Sequence, residues 1–126
     1  MARREGAGPG ARVAAAAAAA ERAKAATELR RLRRRIDALD KRIVALLNQR
    51  ATLAREVGET KATAGRRAVR DVEREREVLL RVAMANQGPM PQADLLALYR
   101  RLIAATRGLE TADRRRAKGN RETGDG

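Results

Sequence analysis

The chain has 126 residues and a net charge of +13, from 29 Lys and Arg against 16 Asp and Glu. It has one aromatic residue and no Cys or His, which excludes thiol nucleophiles, disulfides, imidazole bases and the usual zinc ligands. Any chemistry must therefore come from Arg, Lys, Asp, Glu, hydroxyl groups or the backbone. Because Ala, Leu, Arg and Glu dominate and no run of residues indicates a strand, the composition predicts one all-α domain.

The N-terminal region, residues 1–26, is predicted to be a disordered or Ala-rich extension. Residues 1–12 are charged and rich in Gly, which favours disorder. The run VAAAAAAA at 13–20 follows basic residues, as a signal peptide would, but it contains no Leu, Ile or Phe. A helical extension is the preferred interpretation, and we expect a cytoplasmic protein without a membrane span.

A long first helix is predicted from about residue 27 to 61 or 64, with Gly65 as a cap. Its apolar positions alternate at spacings of three and four, and Arg50 occupies the one position where the apolar series is interrupted. Lys61 lies eleven residues later on nearly the same face, and Ala54 between them leaves room. The apolar positions, called the seam below, are Leu29, Leu32, Ile36, Leu39, Ile43, Leu46, Leu53 and Val57.

A second helix is predicted to begin at Asp71, as N-cap or first-turn acid, and to run to about Asn86. Its second half has a clear apolar face, and helical spacing extends that face back over charged residues. A buried charge normally needs a partner, so these residues require an explanation. In chain order the face carries Asp71, Arg74, Glu75, Val78, Leu79 and Val82.

A third helix is predicted from about 92 to 112, after a Gly/Pro loop, and residues 113–126 are predicted to be a disordered basic tail. The predicted domain therefore covers 27–112. On the third helix, Tyr99 and Ile103 share a face with the hydroxyl of Thr106 and the carboxyl of Glu110.

The predicted helix lengths indicate a dimer. A helix of about 35 residues is about 50 Å long, and the two shorter helices cannot cover it, so a second copy is the simplest partner. Arg33 lies about 100° around the first helix from Arg50, so one ligand could hardly contact both from a single helix. A second copy of the helix could supply Arg33.

Two interpretations of the inward charges stay open at this point. In one, Arg50 and Lys61 form structural ion pairs with Asp71 and Glu75, and the third helix simply frays into water. In the other, the three helices line one polar cavity that suits a small dianion, which Arg grips through two parallel hydrogen bonds. The predicted lining has the cations Arg33, Arg50, Lys61 and Arg74 and the acids Asp71, Glu75 and Glu110.

The motifs I-D-x-L-D at 36–40 and R-D-x-x-R-E at 70–75, followed by ALYRRLIAATRGLE at 97–110, resemble the all-helical chorismate mutases. The resemblance covers residues 29–112. It implies an intertwined homodimer of three-helix protomers with paired long first helices. It also implies the Claisen rearrangement of chorismate to prephenate in phenylalanine and tyrosine biosynthesis, with no cofactor, metal, nucleic acid or membrane involved.

The same resemblance implies residue roles. Arg33 would reach the partner's site to hold a carboxylate, Arg50 would hold a carboxylate within its own protomer, and Lys61 would contact a carboxylate and the ether oxygen. Lys61, Arg50 and Glu110 are the predicted catalytic residues.

The remaining roles concern the second and third helices. By resemblance, Asp71 and Glu75 address the ring hydroxyl, and Arg74 orders the carboxylate side. Thr106 stands where a small hydroxyl residue often contacts a carboxylate. Glu110 stands where many members have Gln, facing the ether oxygen. The residue types suit a pericyclic reaction, which needs a restrained conformer and donors at the ether oxygen and no nucleophile.

Alternatives within and outside this chemistry stay open. An isochorismate-pyruvate lyase or an aminodeoxychorismate mutase would use a similar cationic pocket. A basic helical dimer that binds nucleic acid or protein would explain the Arg-rich segment at 30–35, since clustered Arg neutralises phosphates. The near absence of aromatic residues disfavours a nucleic-acid site, because single strands are usually held by stacking.

Overall fold

The computed structural model describes residues 8–66 and 71–124. Within them it contains three α-helices and no strand, which confirms the predicted all-α class with three helices. The chain divides into two units, and the boundary between Leu46 and Leu47 falls inside the first helix. The helices are α1 (Pro9–Thr63), α2 (Val72–Ala85) and α3 (Gln92–Gly124).

The N-terminal extension is helical from its ninth residue. Pro9 suits the first turn of a helix, where no backbone N–H is required, and the alanine run then favours continued helix. Residues 9–12 are therefore helical, and the prediction of disorder is wrong for them. The same prediction for residues 1–7 lies outside the described residues. No helix in the described ranges contains a stretch both long and apolar enough to cross a membrane.

The seam of α1 is largely exposed within one chain. Its side chains in the first unit are 41% to 56% exposed. In the part of the chain that the structure describes, Ile103 on α3 is the only buried residue, at 8% exposure. A row of half-exposed Leu and Ile side chains loses the free energy that burial would provide, about 25 cal/mol per Å² of apolar surface. The seam members in the first unit are Leu29, Leu32, Ile36, Leu39, Ile43 and Leu46.

The C-terminus of α1 is capped as predicted. Gly65 has a φ of 72°, a left-handed conformation that glycine adopts without steric cost. The N–H of Gly65 donates to the carbonyl of Ala62 at 3.0 Å, and the N–H of Arg66 donates to the carbonyl of Lys61 at 2.9 Å. This pair of hydrogen bonds is a Schellman motif, and it places Lys61 in the last turn of α1.

The N-terminus of α2 is capped by Asp71, also as predicted. Its carboxylate oxygen Oδ1 accepts a hydrogen bond from the backbone N–H of Arg74 at 2.9 Å. The loop from α2 to α3 is organised by Asn86, whose Nδ2 donates to the carbonyl of Met90 at 3.0 Å and to Oε1 of Gln92 at 2.8 Å. The two helices pack directly against each other.

The third helix is longer than predicted. It continues through 113–124, whereas the sequence predicts a disordered tail over 113–126. Ala, Arg and Lys in this segment are good helix formers, and Asp113 accepts a hydrogen bond from Arg116 one turn later at 2.8 Å. Residues 125–126 lie outside the described range, and the domain boundaries at 27 and 112 stay predictions.

Asp113 also joins α3 to α1. The guanidinium of Arg55 donates from Nε to Oδ2 at 2.7 Å and from Nη2 to Oδ1 at 3.0 Å. This two-point pairing is the favourable geometry for Arg and carboxylate. Chiefly through this hydrogen bond from Arg55, the pKa of Asp113 lies below its ordinary value.

Asp113→Asn is therefore expected to lower the free energy of unfolding near neutral pH and to lose this effect in acid. A carboxyl whose pKa is lowered by folding stabilises the fold above its unfolded pKa, and that contribution disappears as the pH falls through the lower, folded-state pKa. Urea unfolding of both proteins at about pH 7 and about pH 2 measures the difference. The control is Glu59→Gln, because Glu59 has no ion pair among the described residues. Equal stability of wild type and Asp113→Asn at neutral pH would contradict the role of the pair.

Candidate active site

A pocket of about 580 Å³ lies in the second unit, between the C-terminal part of α1, α2 and α3. This volume falls in the range of small-molecule sites, about 300–1,000 Å³. Its lining includes five apolar residues, five cations and three carboxyl groups from the described residues. The apolar residues come from all three helices: Leu53, Ala54, Val57, Val78 and Ile103.

All the predicted site residues that belong to the second unit line this pocket. They come from three helices, as the inward-facing spacing of each helix indicates. Arg33 belongs to the first unit, is exposed, and is not among the residues lining the pocket. The predicted residues that line the pocket are Arg50, Lys61, Asp71, Arg74, Glu75, Thr106 and Glu110.

Arg50 and Lys61 lie on the α1 side of the pocket, and both are half-buried. Neither forms an ion pair with a carboxylate of the residues that the structure describes. The predicted alternative, in which they pair with Asp71 and Glu75, is therefore not found in these residues. A half-buried cation beside apolar side chains attracts an anion more strongly than one in water, because the local dielectric is lower.

Glu75 instead pairs with Arg107 of α3, a residue that the sequence analysis did not identify. The distance from Arg107 Nε to Glu75 Oε1 is 2.9 Å, and the Glu75 side chain is only 14% exposed. Arg107 follows Ile103 by four residues and so lies on the same face of α3. That spacing alone could have identified it as a pocket residue.

Asp71 and Arg74 have structural partners in addition to their place at the pocket. The Asp71 carboxylate caps α2. The Arg74 side chain is 55% exposed, and its Nη1 lies 3.2 Å from Oε1 of Glu77, one turn along the same helix. An exposed pair of this kind contributes little free energy, so a ligand could redirect the Arg74 side chain.

Thr106 and Glu110 lie on a well-formed part of α3, so the alternative of a frayed helix end at these residues is wrong. The hydroxyl of Thr106 donates to the carbonyl of Leu102 at 3.0 Å. Glu110 is half-buried and lies over α1 at Gly58, where an added Cβ would be 3.5 Å from Glu110 Cγ and 3.7 Å from Cδ. Since Gly58 precedes Lys61 by three residues on α1, both face the same side of that helix.

Two further lining residues, Thr111 and Arg114, extend the pocket toward the C-terminal part of α3. Arg114 was missed because the sequence predicts the helix to end at about 112. With the helix extended, Arg114 falls one turn after Glu110 on the same face. Arg114 is half-buried, and no ion pair joins it to a described carboxylate.

Comparison with known proteins matches the part of the chain that contains most of the pocket-lining residues. A family model described as chorismate mutase type II matches residues 32–111. A bifunctional chorismate mutase/prephenate dehydratase of Aquifex aeolicus is 40% identical over 87 residues, which cover 66% of this chain and 24% of that protein.

Proteins of the same description from two other bacteria are also similar. That of Stutzerimonas stutzeri is 36% identical over 89 residues, covering 68% of this chain and 24% of the relative. That of Neisseria gonorrhoeae is 38% identical over 78 residues, covering 62% and 21% respectively. The chain thus spans about a quarter of the length of the curated relatives that it matches.

Proposed function

The chain belongs to the chorismate mutase type II family, and we propose from this premise that its pocket catalyses the Claisen rearrangement of chorismate to prephenate. The observation that carries the proposal is the pair of half-buried cations, Arg50 and Lys61. They line a pocket that also contains apolar side chains, and they have no ion pair among the described residues. Chorismate is a dianion built on a hydrocarbon ring, which matches both features.

The proposed reaction breaks the ether C–O bond and forms a C–C bond in one step, so no atom leaves the substrate. Catalysis then consists of two parts. Arg50 binds a carboxylate and holds the enolpyruvyl side chain over the ring, in the compact conformer that the reaction requires. Lys61 donates a hydrogen bond to the ether oxygen, which gains negative charge as its bond to carbon breaks.

The α2 side of the pocket is proposed to fix the ring. Glu75 accepts a hydrogen bond from the ring hydroxyl, and Asp71 lies nearby at the start of the helix. The 2.9 Å ion pair with Arg107 supports this role, because a positive charge beside the carboxylate of Glu75 favours its ionised, hydrogen-bond-accepting form. Arg74 helps to orient a carboxylate of the substrate, and Thr106 contacts a carboxylate.

A second copy of the chain is proposed to complete the site. The exposed seam of α1 supports an intertwined homodimer, since pairing two such helices would cover the apolar side chains. In that dimer Arg33 of one protomer would bind a carboxylate in the other protomer's pocket. A cytoplasmic location, expected for an enzyme of amino acid biosynthesis, belongs to the same proposal.

The decisive experiment is a comparison of three substrates. Purified protein is incubated with chorismate, isochorismate or aminodeoxychorismate, and the products are identified by mass spectrometry and chromatography. Conversion of chorismate to prephenate supports the proposal. Preferential release of pyruvate and salicylate from isochorismate, or preferential rearrangement of aminodeoxychorismate, would replace it with the corresponding alternative.

Replacing Glu110 by Gln is expected to leave the activity unchanged or to raise it. If Glu110 faces the ether oxygen, it must be protonated to donate a hydrogen bond, because a carboxylate only accepts. The ionised form would also place a negative charge beside an oxygen that is itself becoming negative. Glu110→Gln supplies an amide donor at any ordinary pH, so it should preserve or raise kcat/KM near neutral pH.

The measurement is kcat/KM of both proteins at neutral pH. Glu56→Gln is the control, since Glu56 is an exposed carboxyl on α1 that does not line the pocket. Its kcat/KM should match that of the wild type. A clearly lower kcat/KM for Glu110→Gln than for this control would contradict the donor role of position 110.

A further inference from the structure

We propose that Arg114 is an additional substrate-binding residue, which holds a carboxylate of the dianion from the α3 side of the pocket. The inference rests on the proposed function and adds to it a residue beyond the segment that the family model matches, 32–111. Three observations carry it: the surroundings of Arg114, the anchoring of the helix turn that bears it, and the distribution of charge around the pocket.

The first observation is that three successive arginines have three different environments. Arg114 is half-buried and lines the pocket. Arg115 is exposed and does not line it. Arg116 donates from Nη2 to Oδ1 of Asp113 at 2.8 Å. Of the three, Arg114 alone is at the pocket, and its guanidinium forms no ion pair with a described carboxylate.

The second observation is that the turn bearing Arg114 is fixed to α1. Asp113, the preceding residue, accepts two hydrogen bonds from Arg55, at 2.7 and 3.0 Å. One turn earlier, Glu110 lies over Gly58. These contacts set the rotation of α3 about its axis, so Arg114 faces the pocket as a consequence of the packing. A helix turn positioned in advance reduces the conformational entropy that is lost when its arginine binds an anion.

The third observation concerns which cations are available to a ligand. Of the five that line the pocket, Arg74 lies beside Glu77 and Arg107 beside Glu75. The other three have no ion pair among the described residues, and Arg114 is the one that comes from α3. A dianion that contacts Arg50 and Lys61 of α1 together with Arg114 of α3 would be held from two helices, which restrains its conformation more than contacts from one helix do.

The test compares three variants of the full-length chain. Arg114→Gln removes the charge, Arg114→Lys keeps it without the planar pair of donors, and Arg115→Gln is the matched control for charge at the neighbouring position. The readouts are kcat and KM for chorismate and the calorimetric dissociation constant for prephenate, the dicarboxylate product. Circular dichroism establishes that each variant is folded.

Loss of one charge-assisted hydrogen bond should weaken prephenate binding by about tenfold to a hundredfold in Arg114→Gln. The KM for chorismate should rise accordingly, Arg114→Lys should be intermediate, and Arg115→Gln should match the wild type. Equal constants for Arg114→Gln and Arg115→Gln, in an active wild-type background, would overturn the role of Arg114 alone. A wild-type protein that neither converts chorismate nor binds prephenate would overturn the proposed function as well.

Discussion

Replacing Lys61 by Ala is expected to lower kcat by a factor of about 10² to 10³ while the chain stays folded, because loss of one donor to a developing oxyanion typically has this cost. Arg50→Ala should have an effect of the same order, mainly through loss of the compact substrate conformer. Both side chains are half-buried without an ion pair among the described residues, so their removal leaves no described carboxylate unpaired.

The change in kcat is measured by steady-state kinetics of the two variants. The active-site concentration is corrected for the folded fraction of each protein. Lys118→Ala is the control, because Lys118 is an exposed Lys on α3 outside the pocket. A purely structural role would give a different result: lower stability with unchanged turnover per folded molecule. Full activity of either folded variant would refute its assigned role.

Mixing two inactive variants, Arg33→Ala and Arg50→Ala, is expected to restore activity. If Arg33 acts in the partner's pocket, a heterodimer of the two variants contains one site with both arginines and one site with neither. Random exchange of subunits should then regenerate about a quarter of the sites, against a background lower by orders of magnitude. Activity is followed after the two proteins are mixed under conditions that permit exchange.

The exchange itself is measured independently, by native mass spectrometry of protomers with distinguishable masses. The matched control mixes Arg33→Ala with Arg33→Lys, which cannot regenerate a site with both arginines. A monomeric protein, or complete exchange without recovery, would refute the shared site.

The sequence predicted the helix termini that depend on local chemistry. Asp71 and Gly65 are recognisable because capping requires a short acceptor side chain at one end and a residue with positive φ at the other. The pocket residues on the α1 side were predictable for a related reason. Arg50 interrupts a regular apolar series, and a charge at such a position requires a partner or a ligand.

Arg107 and Arg114 were harder to predict, for two different physical reasons. The Arg107–Glu75 pair depends on how closely α2 approaches α3, which no local pattern specifies. Arg114 depends on the length of α3, and the charged, Gly-containing segment after residue 112 favours disorder when it is considered alone. In the folded chain the pairing of Asp113 with Arg55 stabilises the helix across that segment.

Gly58 links the strength of α1 to the geometry of the site. Glycine within a helix is less favourable than alanine by about 1 kcal/mol, so α1 is locally weakened where it passes beneath Glu110. A methyl group at this position would be in ordinary van der Waals contact with the Glu110 side chain, 3.5 Å from its Cγ. Substitutions that strengthen the helix at position 58 therefore also narrow the room in which the Glu110 carboxyl can move. At Gly58, a more stable α1 and a more mobile Glu110 side chain therefore cannot both result from the same substitution.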